Sequence, residues 1–269
     1  MTAVAEAEAG AGARRLASCL STASARRAFL ALCLLTGFTG APVWAAPLNV
    51  VLAAQYQEPT DRYNHAVLGD AAEWGALLLQ VDTCAACANL RIKEVVIRLP
   101  ESRVFEDIAP RLIDLDFDGA SEVVVIESDA RLGARLAIYD GDGLVTATPF
   151  IGTRYRWLAP LGAADLDGDG LMELAYIDRP HLAKTLRVWR YSNRSLTEIA
   201  SLEGLTNHKI GEDFISGGIR ECGAGPEIIT ADASWQTVMA TRMIGSDLKT
   251  RKIAPFLNPD SLKSALRCR

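Results

Sequence analysis

Short apolar runs alternate with polar turns along most of this chain, and four of these runs directly follow a glutamate. The runs read WGALLLQV, VVVIE, LAYID and IITAD, and their glutamates stand at positions 73, 122, 173 and 227. These spacings of 49, 51 and 54 residues are close to one period, and a period near 50 indicates a repeat architecture. A polar tight loop and a further short apolar segment precede each glutamate, which predicts a strand–loop–strand unit.

The residues after each run predict two more strands. Segments such as LAIYDGDGLVTATPF and LRVWRYSNRSLTEIASL place β-branched and aromatic residues around Gly, Asn, Asp or Ser turns, a pattern typical of hairpins. Four strands per unit are the content of a propeller blade, so the sequence predicts an all-β fold, a β-propeller-like array of about four or five four-stranded repeats. The predicted repeats lie near 60–109, 110–159, 160–213 and 214–257, with a strand near LNVVLA left over to complete the last blade, and a helical tail at 258–269 capped by Asp260 or Ser261.

The first 45 residues have the pattern of an export signal. Arg26 and Arg27 precede the apolar run AFLALCLLTGF, and the small-residue stretch VWAA follows it, so we expect cleavage after Ala45. SARRAFL partly matches the twin-arginine pattern, which leaves the export route open, and an uncleaved N-terminal anchor is the alternative. The sequence therefore predicts a signal peptide at 1–45 and one repeat domain at 46–269 of a periplasmic or secreted protein, without a membrane span after cleavage.

Two of the loops carry carboxylates at the same spacing, in DLDFDGASE and DLDGDGLME. Carboxylates about 4 Å apart repel each other by roughly 4 kcal/mol at an effective dielectric of 20, so a folded loop of this kind needs a cation. Hard oxygen ligands suit Ca²⁺, although solvated Asx turns are the alternative. The predicted ligands of the two calcium sites are Asp114, Asp116, Asp118, the carbonyl of Ala120 and Glu122, and Asp165, Asp167, Asp169, the carbonyl of Leu171 and Glu173.

Four cysteines, Cys84, Cys87, Cys222 and Cys268, follow the predicted signal. An even number in an exported protein favours disulfides, and proximity in the sequence favours Cys84 with Cys87 and Cys222 with Cys268. The CAAC segment also fits a redox pair or half of a zinc site. The pairing of Cys222 with Cys268 would fasten the last repeat, whose loop has lost its aspartates, to the C-terminal tail.

The acidic segments resemble a known family, the FG-GAP or VCBS-type calcium repeats of integrin alpha subunits and many bacterial exported proteins. GAADLDGDGLMELAYIDRP is the better match and DLDFDGASEVVVIE a second one; the resemblance is good over 110–180 and loose over 60–260. It implies a β-propeller whose calcium loops join strands within a blade, and a binding role more often than a catalytic one. Glu122 and Glu173 replace the family's usual aspartate, so direct ligation, ligation through water and bracing of the loop are all open.

The sequence offers little sign of an active site. No nucleophile elbow, zinc-protease motif or phosphate-binding loop occurs, and the three histidines, His65, His181 and His208, stand in different parts of the repeat array and are not expected to cluster. The stretches RYRW, at 154–157, and DRPHLAKTLRVWR are the richest in arginine and aromatic residues. They would line a pocket for an anionic ligand or pack their stems over blade edges.

The sequence therefore predicts an exported, calcium-stabilised repeat protein with a binding or adhesion-type role towards an unknown protein or saccharide. The formal net charge of −5 argues against nucleic acid or an anionic membrane as its main partner. One alternative is a hydrolase or lyase acting on a saccharide or phosphate ester at the propeller face, which a convergent cluster of the histidines with an acid would favour. Another is a structural subunit of an envelope assembly.

Overall fold

The computed structural model describes residues 49–69 and 72–269, whose regular secondary structure is antiparallel strands except for one helix, so the predicted all-β class is confirmed. The predicted signal peptide at 1–45 lies outside the described residues. The elements are β1 Val50–Thr60, β2 Glu73–Asp82, β3 Ile92–Arg98, β4 Arg103–Phe105, β5 Arg111–Ile113, β6 Glu122–Asp129, β7 Gly133–Asp140, β8 Gly143–Ala147, β9 Leu158–Ala164, β10 Met172–Asp178, β11 Thr185–Ser192, β12 Ser195–Glu203, β13 Leu205–Thr206, β14 Gly218–Glu221, β15 Pro226–Asp232, β16 Thr237–Ile244, β17 Asp247–Pro255 and α1 Pro259–Leu266.

Three successive units share one strand plan, a four-stranded antiparallel meander. The middle unit has the order β9-β10-β11-β12. In the unit before it, the first strand is divided into β4 and β5, which pair with opposite ends of β6 and are followed by β7 and β8. In the unit after it, β13 and β14 pair in the same way with β15, followed by β16 and β17. The hairpins that the sequence predicts in these units are therefore present.

The first unit differs from its prediction, because it has only β1, β2 and β3. The leftover N-terminal strand does not complete the last blade; β1 pairs with β2 along its length, from Val50↔Asp82 to Thr60↔Glu73. Only residues 61–72 separate these two strands, so their pairing has a lower loop-closure cost than pairing of β1 with the last unit would have. The segment at His65, predicted as a strand, forms turns instead, and Gly69 turns the chain there with a φ of 79°.

The units pack against one another in chain order, because the central strands send alternate side chains to opposite faces. The first two units also share one eight-stranded sheet, which the Trp74↔Phe105 pair of β2 and β4 joins. Val123 and Val125 of β6 pack towards the first unit, whereas Val124 and Ile126 pack towards the β9–β12 sheet. Strand β10 repeats this division between its two neighbouring sheets. Every residue of β6 and β10 is buried as a result, which explains why VVVI and LAYI read as continuous apolar runs.

The helix α1 covers the outer face of the last sheet, with Leu262 and Ala265 buried against β15 and β16. Its N-cap is Asn258, not the predicted Asp260 or Ser261; Ser261 instead completes the capping box from the third helical position. No helix of the described residues has the length and apolar character needed to cross a membrane. Closure of the stacked sheets into a propeller ring, and the predicted repeat boundaries, stay predictions.

Candidate metal centres and histidine cluster

The two acidic loops are braced by the same hydrogen bond from a buried glutamate. Glu122 Oε2 accepts the backbone N–H of Leu115 at 2.8 Å, and Glu173 Oε2 accepts that of Leu166 at 2.8 Å. Each glutamate stands near the start of the central strand of its unit, and each accepting oxygen reaches back across the loop. Glu122 and Glu173 therefore brace their loops, whatever further role they have.

The first aspartate of each loop makes a second equivalent bond. Asp114 Oδ2 accepts the N–H of Gly119 at 3.1 Å, and Asp165 Oδ2 accepts that of Gly170 at 3.0 Å. The φ angles of the two glycines are 90° and 86°, a region that side-chain-bearing residues rarely adopt. The identical spacing in the sequence thus produces the same two bracing hydrogen bonds in both loops.

Three carboxylates converge in each loop. Oxygen atoms within 4.8 Å of one another come from Asp114, Asp116 and Glu122 in the first loop and from Asp165, Asp167 and Glu173 in the second. Asp118 and Asp169 lie outside these two groups and accept the backbone N–H groups of Ala120 and Leu171, at 2.8 and 2.9 Å. Calcium ligation by Asp118 and Asp169, and by the carbonyls of Ala120 and Leu171, stays a prediction.

The loop at Asp114 holds its negative charge at a high electrostatic cost. Burial, together with the nearby charge of Asp116, raises the pKa of Glu122 to about 7. Burial and Asp118 raise the pKa of Asp116 as well, and Asp114 Oδ1 is buried without a hydrogen-bond partner. Tyr191, whose hydroxyl is also buried without a partner, has its pKa raised to about 12 by burial and by the charges of this loop. A bound cation would satisfy these oxygens.

The loop at Asp165 contains a cation of its own. The guanidinium of Arg190 contacts Glu173 Oε1 at 2.7 Å, Asp167 Oδ2 at 2.6 Å and Asp169 Oδ2 at 3.0 Å. Burial raises the pKa of Glu173, and the hydrogen bond from Arg190 opposes that rise. Sequence reasoning missed Arg190, although the antiparallel register pairs it directly with Glu173 and a hairpin alignment would have found it.

The glutamate of the last unit is surrounded by arginines. Glu227 is only 2% exposed, and Arg220, Arg242 and Arg251 contact its two carboxylate oxygens at 2.6, 3.0 and 2.7 Å. Burial alone would raise its pKa, but the hydrogen bonds from the three guanidiniums hold the pKa of Glu227 at about 2. Within the described residues, Glu122 therefore contacts no arginine, Glu173 contacts one and Glu227 contacts three.

The three histidines lie together, contrary to the expectation that they are scattered. His65 and His181 line one small cavity, and His181 Nε2 is 3.0 Å from His208 Nδ1. His208 Nε2 donates to the carbonyl of Glu212 at 3.0 Å, so in the neutral pair His208 Nδ1 accepts the proton of His181. Burial and the neighbouring histidines lower the pKa of His181 to about 4, and burial lowers that of His208. Turns between strands, which no periodicity predicts, bring these rings together.

A buried acid orients one of these rings. His65 Nδ1 is 2.5 Å from Oε1 of Glu106, a fully buried carboxylate that also accepts the hydroxyl of Ser128. The His65 ring stacks on Tyr155, with centroids 4.9 Å apart, and its side chain is 17% exposed. A carboxylate on Nδ1 leaves Nε2 of the imidazole for proton transfer. Within the described residues, three-ligand groups occur only in the acidic loops, so the histidines are not a ready metal site.

The arginine- and aromatic-rich stretches lie at two neighbouring cavities. Tyr155 and Trp157 line the histidine cavity, whereas Arg187 and Trp189 line a cleft of about 310 Å³; Arg179 borders both. Arg154 stacks over the ring of Tyr155, at 4.6 Å from its centroid. Arginines of both stretches therefore lie at or beside cavities, and a pocket for an anionic ligand stays a prediction.

The two disulfides favoured by the sequence are present, Cys84–Cys87 and Cys222–Cys268. The second joins the β14–β15 turn to the residues just after α1. It ties the tail to the last unit, as expected from the loss of aspartates in that loop.

One family description matches part of the chain: residues 114–176 fit the FG-GAP-like repeat. The match spans both acidic loops and the strands between them, and repeats of this kind suggest a binding or adhesion-type domain. No curated protein matches the chain.

Proposed function

We propose that this protein is an exported, calcium-stabilised binding module that recognises a protein or saccharide partner. The observation that carries the proposal is the pair of identically braced acidic loops within the FG-GAP-like match. Two disulfides are consistent with an oxidising compartment outside the cytosol.

Calcium is the ion that best fits the donors. Each loop offers carboxylate oxygens and no nitrogen or sulfur ligand, a donor set that suits hard cations with flexible coordination. The buried, unpartnered Asp114 Oδ1 and the high pKa of Glu122 favour a cation at the first loop most strongly. Arg190 already neutralises part of the second loop, so we expect the second site to be the weaker one. Affinities of roughly 10⁻⁴ to 10⁻³ M are typical of extracellular calcium modules.

Calorimetric titration of the EDTA-treated protein with Ca²⁺, repeated with Asp116→Asn and Asp167→Asn, tests this part of the proposal. We expect Asp116→Asn to remove the tighter binding event and Asp167→Asn to remove the weaker one. A wild-type protein that binds no calcium at millimolar concentration would refute calcium stabilisation. Affinity capture from the exported fraction, with and without Ca²⁺, then tests the binding role.

The histidine cluster favours a second candidate, a hydrolase or lyase acting on a saccharide or phosphate ester. Its basis is the Glu106–His65 pair beside His181, an imidazole held by a buried carboxylate at a cavity. In this role His65 takes a proton through Nε2 while Glu106 holds the ring. Turnover of p-nitrophenyl glycosides or phosphates by wild type and not by His65→Ala would support it; equal rates for both proteins would exclude it for those substrates.

A further inference from the structure

The last unit carries positive charge in a chain that is negative as a whole. Residues 218–269 contain eight Lys and Arg against five Asp and Glu, whereas the whole chain has a formal net charge of −5. Three of these cations, Arg220, Arg242 and Arg251, share the single carboxylate of Glu227. One carboxylate neutralises only one of the three guanidinium charges, so the cluster of Glu227 and its arginines keeps a net positive charge.

Two of the three arginines line a cavity between α1 and β17. The cavity has a volume of about 460 Å³, within the range of roughly 300 to 1,000 Å³ typical of small-molecule sites. Arg220, Arg251 and Arg269 supply its charged side chains, and no Asp or Glu residue of the described chain lines it. The charged side chains that line the cavity are therefore all cationic, and two of them, Arg220 and Arg251, share one carboxylate, that of Glu227.

The rest of the wall is largely apolar. Ile253 and Leu257 line it from β17 and the residues after that strand, and Leu257 is 82% exposed. Ser261 and Ser264 of α1 add hydroxyl groups. The Cys222–Cys268 disulfide forms part of the same wall and fixes the tail against the last unit, so the cavity is pre-organised.

We propose that this cavity binds an amphiphilic anion, a carboxylate or phosphate head group carried on an apolar chain. Guanidinium groups bind both head groups through paired, charge-assisted hydrogen bonds, so Arg251 and Arg269 hold the head. The apolar chain lies along Ile253 and Leu257 and removes their surface from water. This site is separate from the acidic loops, and its occupation does not depend on calcium.

Calorimetric titration of the full protein with dodecanoate and with dodecyl phosphate, below their micelle concentrations, tests the proposal. Butyrate and inorganic phosphate supply the head alone, and decanol supplies a neutral chain. We expect at least one amphiphilic anion to bind about tenfold or more tightly than head or chain alone. Binding of only one anion identifies the head group; binding of neither at about 1 mM, or equal binding of decanol, overturns the proposal.

Two arginine variants separate ligand binding from folding. Arg251→Gln and Arg242→Gln each remove one guanidinium from Glu227 Oε1, but only Arg251 lines the cavity. We expect Arg251→Gln to weaken binding about tenfold and Arg242→Gln to leave it within about twofold. Leu257→Ser, at an exposed position, should also weaken binding without unfolding the protein. Equal affinities of the Arg251→Gln and Arg242→Gln proteins would overturn the proposal.

Discussion

Arg190 lies directly across the β10–β11 hairpin from Glu173, and its guanidinium fills the place beside that carboxylate where a loop cation is expected. The equivalent glutamate of the preceding unit, Glu122, has no such arginine within the described residues. Two loops with the same bracing hydrogen bonds therefore differ in how much of their negative charge an arginine of the chain neutralises.

Removing Arg190 should make the second loop dependent on calcium. Arg190→Gln leaves Asp167, Asp169 and Glu173 without their cation, so we expect the free energy of unfolding in EDTA to fall by about 2 kcal/mol. Calcium should raise the melting temperature of the Arg190→Gln protein by more than it raises that of wild type. Thermal melts with and without Ca²⁺ measure both effects.

Arg187→Gln is the matched control for that variant. Arg187 belongs to the same strand and is ion-paired too, but its partners are Asp178 and Glu198, away from the loop. We expect this variant to lose stability without gaining any response to calcium. An Arg190→Gln protein whose calcium response equals that of Arg187→Gln would contradict the prediction.

Neutralising Glu122 should separate stability from calcium binding. Its pKa of about 7 shows that the ionised carboxyl is disfavoured in the folded protein, so Glu122→Gln should cost less than about 1 kcal/mol in EDTA at pH 7. The same variant should lose most of the calcium-induced rise in melting temperature. Asp118→Asn, outside the converging group, should lose less of that rise than Glu122→Gln does; the reverse order would show that the ligands are misassigned.

The histidine cluster should make the protein less stable in mild acid. The pKa of His181 is about 4 in the folded protein and near 6.5 when unfolded, so the unfolded chain binds more protons between these values. The contribution of the neutral His181 ring to the free energy of unfolding is complete above pH 6.5 and is lost as the pH falls towards 4. Because the ring is partly exposed, we expect no more than about 2 kcal/mol. Urea unfolding at pH 7.5 and 5.0 should give a smaller difference for His181→Gln than for wild type.

The long-range disulfide should matter more than the short one. Cys222 and Cys268 are 46 positions apart, so replacing both by alanine should lower the free energy of unfolding by about 2 to 4 kcal/mol. Cys84 and Cys87 are only three positions apart, and their replacement should cost clearly less. Denaturant unfolding of the two double variants decides the order.

The sequence predicted features that depend on local pattern. Carboxylate spacing located both acidic loops, strand alternation gave the meanders, and cysteine proximity gave both disulfides. It did not predict features formed by distant segments: the buried Glu106 behind His65 and the meeting of His181 with His208 arise where turns of different units pack together. The pairing of β1 with β2 was missed because the apolar pattern of a strand does not specify which neighbouring strand it pairs with.

Each inner strand such as β10 serves two hydrophobic layers at once, with Leu174 and Tyr176 on one side and Ala175 and Ile177 on the other. A slip of one position would put the wrong set into both layers together, so the register is specified twice over. Opening one such strand also uncovers its neighbours on both sides. Amide hydrogens of β6 and β10 should therefore exchange only through global unfolding, while those of the outer β3 and β17 exchange through local fraying.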